Sequence, residues 1–171
     1  MQDSGSTYSS GRISPEKALQ KLKHFCGYQE RCPLEVRQKL YSLGLIKKEA
    51  EQVISKLIVE EYLNEERFAL GFASGRSRIK GWGKQKIRYE LRQREISEYC
   101  IGKSLKSMDE DEYKSGFYRV ADKKWTALRE EKNIFVKKNK WRQYLLQRGF
   151  EPHLINTWIF QSENDAGPAA E

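Results

Sequence analysis

Residues 77 to 95 read SRIKGWGKQKIRYELRQRE, and seven of them are Lys or Arg. Cations this dense around Gly81-Trp82-Gly83 suit three kinds of chemistry: cradling a phosphate for transfer, holding a nucleic-acid backbone, or docking on an acidic protein. The first needs a glycine-rich loop between a strand and a helix, with Lys-Ser or Lys-Thr after its last glycine. Neither feature is present here. Gly81-Trp82-Gly83 reads instead as a connector between two helices, because glycine opens dihedrals closed to other residues. Trp82 is read first as a packing residue, and it is also the stacking candidate if single strands are bound.

Other reactive side chains are sparse. Cys26, Cys32 and Cys100 form an odd trio without Cys-x-x-Cys spacing, and His24 and His153 lie far apart. That supports neither a disulfide framework nor a zinc site, and reduced thiols in a cytosolic protein are the expectation. Asp109-Glu110-Asp111-Glu112 fits a helix N-terminus, where the macrodipole favours acids. No catalytic relay, metal or cofactor is read from these residues.

The charge is local. The chain has 171 residues and a formal net charge of +8. Between Arg76 and Arg94 eight cations meet one acid, Glu90, a local excess of seven. A solvated helix face mixes signs, as residues 47–66 do. The candidate binding set is therefore Arg76, Arg78, Lys80, Trp82, Lys84, Lys86, Arg88, Arg92 and Arg94. Lys84, Arg88 and Arg92 recur every four residues, beside an apolar stripe of Ile87 and Leu91. Glu90 is placed to pair with Arg94. The reading requires that carboxylates of the same chain leave these cations unneutralised.

The elements that position this stretch are helical. Apolar residues recur at helical spacing and few alternate with period two. Ser14-Pro15 starts a helix, and Ala18, Leu19, Leu22 and Phe25 mark its face until Gly27 and Cys32-Pro33 interrupt it. Leu34, Val36, Leu40 and Leu43 form a second helix, with Gly44 where a left-handed cap is wanted. Ala50, Val53, Ile54 and Leu57 form a third, and Asn64 opens a fourth.

The pattern then repeats. Val36, Leu40 and Leu45 match Ile87, Leu91 and Ile96, and then Trp141, Leu145 and Phe150. Ala50, Ile101 and Ile155 correspond, as do Ile54, Leu105 and Ile159. Arg37, Arg88 and Arg142 share one repeat position, where an arginine stem covers the core and its head seeks a carboxylate or carbonyl. Recurrence near fifty residues predicts an all-α fold, a tandem array of three three-helix modules, elongated and curved. The modules span 14–62, 63–108 and 109–162, with a disordered arm over 1–13 and a disordered tail over 163–171. The first helix of the third module is read as long, extending to Asn133. No apolar run approaches the length of a membrane span, and the N-terminus has no export-signal pattern. A monomer is expected.

Residues 62–96, YLNEERFALGFASGRSRIKGWGKQKIRYELRQREI, resemble the RecX family of bacterial recombination regulators. That family pairs a Leu-Asp-Asp-x-Arg-Phe-Ala-type start with a basic run, Gly-x-Gly, then Ile-x-x-x-Leu and a Gly-Ile turn. Here these are Leu63-Asn64-Glu65-Glu66-Arg67-Phe68-Ala69, Arg76 to Lys80, Gly81-Trp82-Gly83, Ile87, Leu91 and Glu95-Ile96. Asn64-Glu65 replaces the paired aspartates and keeps a helix cap. Glu95 replaces the turn glycine, a departure that bears on the geometry between helices. The resemblance implies a cytoplasmic, non-enzymatic partner of the RecA recombinase. Such a protein lies along the RecA filament on single-stranded DNA, inhibits ATP hydrolysis and strand exchange, and binds DNA weakly. The alternative is a stand-alone DNA-binding helical repeat protein.

Overall fold

The computed structural model describes residues 12–165, with side chains as far as Ile159. The parts of the expected arm and tail at residues 1–11 and 166–171 lie outside the described residues. Within that span nine helices and no strand are present. In chain order they are α1 (Pro15–Tyr28), α2 (Pro33–Ser42), α3 (Lys47–Val59), α4 (Glu65–Lys80), α5 (Lys84–Arg92), α6 (Glu98–Lys106), α7 (Glu110–Ala127), α8 (Ile134–Gln147) and α9 (Pro152–Asp165).

The starts follow from capping chemistry. The side chains of Ser14, Asn64, Ser97 and Asp109 each accept a backbone N–H three residues on, relieving one orphan donor of a first turn. Asp109 caps α7 through the Glu112 N–H, while the Glu112 carboxylate is taken by Arg78. Four boundaries differ from the sequence expectation, the first being the expected tail, whose residues 163–165 continue α9. Gly27 lies inside α1, which continues to Tyr28. The α7 helix stops at Ala127, because the Asn133 side chain caps α8 through the N–H groups of Phe135 and Val136. Arg12 and Ile13, assigned to the arm, are ordered on α1–α3: Arg12 pairs with Glu49 at 2.5 Å, and Ile13 packs on that core.

Three apolar cores succeed one another, within α1–α3, α4–α6 and α7–α9. The repeat positions fill them. Val36, Ile87 and Trp141 are fully buried, as are Leu40, Leu91 and Leu145, and Ala50, Ile101 and Ile155. Cores of this size bury enough apolar surface to hold a module together only with help from a neighbour. Cys32 and Leu34, at the start of α2, supply some of it by packing into the second core. Met108 packs on both the second and the third cores. The three thiols are free and buried, and burial pushes the Cys26 thiol up to about 11.

The turn after the second helix of each module has the same backbone. Gly44, Glu95 and Gly149 have φ of 84°, 58° and 82°. Glu95 thus keeps the left-handed turn in place of glycine, at a steric penalty of about 1–2 kcal/mol. Its carboxylate is joined to Arg37 at 2.7 Å, and Arg37 also reaches Glu51 at 3.0 Å. Glu95→Gly and Glu95→Ala lose the same ion pair and differ only in backbone freedom. Glu95→Gly is expected to be the more stable by about 1 kcal/mol in chemical denaturation, the reverse of helix propensity.

Candidate functional site

The α4 helix ends in Gly81, whose left-handed φ of 60° lets the chain turn sharply under Val120 of α7. Gly83 then meets the turn after α8. A Cβ on Gly83 would stand 2.1 Å from the Gly149 carbonyl oxygen, and one on Gly149 would stand 2.3 Å from the Lys86 nitrogen. The two glycines let main chain touch main chain. Gly83 N–H donates to the Arg148 carbonyl at 2.8 Å, and Gln85 N–H donates to that of Gly149 at 3.1 Å. The Lys84 N–H donates to the Tyr113 hydroxyl at 3.0 Å, which in turn donates to the Glu151 carboxylate at 2.5 Å. Burial, then Glu151, holds that phenol protonated well above its usual range. Gly81-Trp82-Gly83 is therefore the joint between the second and third modules.

Of the eight cations from Arg76 to Arg94, five meet carboxylates of the same chain. Arg78 pairs with Glu112 at 2.6 Å, Lys84 with Glu110, and Arg92 with Glu98 at 2.5 Å. Arg88 reaches the same Glu98 at 3.6 Å, and Arg94 pairs with Glu90 at 2.7 Å. Glu98 is held below the usual carboxylate range by its bond to Arg92. The expectation of a row left unneutralised along α5 is corrected here. Acids from α6 and α7 fold back on Lys84, Arg88 and Arg92. Lys84 also lies 4.7 Å over the Tyr113 ring, which makes it part of the joint. The exposed pairs Arg78–Glu112 and Arg92–Glu98 contribute little to stability and are screened by salt.

Arg76, Lys80 and Lys86 have no carboxylate partner among the described residues. Arg76 and Lys86 lie 5.2 and 4.7 Å from the centre of the Trp82 ring, which packs edge-on against Phe72 of α4. Trp82 is half-buried on the second core, so packing takes up the ring that stacking would need. Of the repeat arginines, Arg37 and Arg88 reach carboxylates, while Arg142 is exposed with none among the described residues.

Sequence reasoning missed three cations that the joint brings up to Arg78 and Lys80: Arg119 and Lys123 from α7, and Arg148 after α8. Arg119 and Lys123 are one helical turn apart, a spacing at which like charges weaken a helix slightly. That spacing was the available signal.

The fold and its polar surface define an all-α tandem-repeat protein with clustered cations at the joint between its second and third modules. The RecX second three-helix domain matches residues 64–105, and the RecX third three-helix domain matches residues 111–159. A regulatory protein RecX of Pelodictyon phaeoclathratiforme is 34% identical over 117 residues, covering 68% of this chain and 71% of that protein. The regulatory protein RecX of Clostridium tetani is 32% identical over 117 residues, and the match spans 53% of its length. The crystal structure of RecX from Lactobacillus salivarius superposes with a TM-score of 0.76 at 23% identity, covering 86% of this chain and 95% of that one. The chain belongs to the RecX family of regulatory proteins.

Proposed function

We propose that this protein binds RecA filaments on single-stranded DNA in the cytoplasm and lowers their ATPase and strand-exchange activity. The reading is of a monomeric, non-enzymatic regulator. Its main support is the match of two RecX domain models to the second and third modules, the pair joined at Gly83 and Gly149. A stiff array of helical modules suits docking along a helical filament, because each module can repeat its contact along the filament. Within the candidate set, Arg76, Lys80 and Lys86 are proposed to make the contact, since no internal carboxylate offsets their charge. Arg78, Lys84, Arg88, Arg92 and Arg94 are proposed to hold the modules together first.

The test is RecA ATPase on saturating single-stranded DNA, with this protein titrated below one copy per RecA. Turnover is expected to fall at substoichiometric ratios. Full activity at every ratio overturns the proposal. A response that vanishes when DNA is in excess identifies a stand-alone DNA-binding protein that competes for the strand.

A further inference from the structure

We propose that the cleft between α4, α7 and the end of α8 binds the phosphate backbone of a single nucleic-acid strand. This rests on the reading of the protein as a nucleic-acid-associated regulator, and places the DNA contact at the joint rather than along α5. Arg78, Lys80, Arg119, Lys123 and Arg148 line the cleft with Tyr144, and no acid among the described residues lines it. Its volume is about 410 Å³.

Four of the five cations, Lys80, Arg119, Lys123 and Arg148, have no carboxylate partner among the described residues, while Arg78 is paired with Glu112. Arg119 and Lys123 have no ion-pair partner among the described residues. The acid nearest to them at helical spacing is Asp122, which accepts a hydrogen bond from the Trp158 ring nitrogen at 2.9 Å. Glu112 sits in the adjoining groove, where it is paired with Arg78. Arg148 is preset: its guanidinium donates to the Lys80 carbonyl and lies 5.0 Å from the centre of the Tyr144 ring. Its position is therefore set by the main chain of α4 and does not have to be organised on binding.

The four unpaired cations converge on one cleft and repel one another unless an anion enters. A run of phosphates supplies that charge at regular intervals, and a positive groove that tracks a backbone is the usual way single strands are held. A pair of exposed lysines on one helix is a different case. Lys47 and Lys48 of α3 face solvent in the first module, away from any such cleft.

The test is binding of a fluorescent oligodeoxythymidylate to the full chain, with the logarithm of affinity followed against that of salt concentration. Arg119→Gln/Lys123→Gln is expected to reduce the slope by about 1.4, roughly 0.7 for each phosphate of a single strand that the protein no longer neutralises. Lys47→Gln/Lys48→Gln removes the same charge and is expected to keep the wild-type slope. Arg119→Lys/Lys123→Arg is expected to keep it as well, because both positions stay cationic.

An unchanged slope in Arg119→Gln/Lys123→Gln, or an equal fall in the Lys47 and Lys48 variant, overturns the proposal. Abolished RecA inhibition with an unchanged slope assigns the cleft to an acidic protein surface and also overturns it. RecA ATPase that ignores the wild-type protein, alongside the expected slopes, defeats the regulatory reading while the cleft stands.

Discussion

Gly83→Ala is expected to undock the third module from the second and to destabilise the chain by about 2–4 kcal/mol. The backbone at Gly83 has φ −77° and ψ 161°, which alanine adopts freely. On that ground alone the change should be neutral or slightly stabilising. The added methyl, however, would lie 2.1–2.3 Å from three backbone atoms of Gly149 and Phe150. Main chain cannot swing aside as a flexible side chain does, so the turn after α8 must move away. With it go the bonds from Gly83 and Gln85 to the carbonyls of Arg148 and Gly149, and the Tyr113 link to Lys84. Each of these three bonds contributes about 0.5–1.5 kcal/mol net, so losing them accounts for the expected destabilisation, and undocking relieves the overpacking that forces it. The array should then lose cooperativity. The tryptophans of the third module, read by fluorescence, should unfold at lower denaturant than the helices read by circular dichroism. Coincident transitions at the wild-type midpoint would falsify the joint.

The helices and the repeat were legible because burial leaves an unambiguous mark. A position such as Leu40, Leu91 or Leu145 must be apolar wherever it recurs, and all three are fully buried. The joint was less legible. Gly81-Trp82-Gly83 reads locally as a flexible connector, whereas Gly83 meets a turn more than sixty residues away. Nothing local in α2 says that Cys32 and Leu34 pack into the second core rather than the first. Ion pairing was hidden for the same reason. Glu98, Glu110 and Glu112 lie 6 to 34 residues from the cations they meet, so no helical spacing links them. The cleft followed the same course. Arg119, Lys123 and Arg148 are dispersed along the sequence, each with a single acid within five residues, and only the fold gathers them.

Trp141→Ala is expected to unfold the third module while leaving the first two helical. Trp141 takes the place that Val36 and Ile87 fill in the other modules, and it is fully buried. Its ring nitrogen donates to the Ala121 carbonyl at 2.9 Å, and its ring centre lies 4.4 Å from that of Trp158 and 6.1 Å from that of Trp125. Deleting a buried tryptophan removes about 3–5 kcal/mol, because neighbouring rings cannot collapse into the space. Whole domains are stable by only about 5–15 kcal/mol, and in a linear array that stability is divided among the units. Circular dichroism should therefore lose the share due to α7–α9, and oligonucleotide binding should fall with the cleft. Retained helicity, with a midpoint within about 1 kcal/mol of wild type, contradicts the packing described for this core. Gly83→Ala makes the informative contrast. It should keep the helices of the third module and lose only their attachment, so any binding it loses measures what the joint, rather than the module, gives to the cleft.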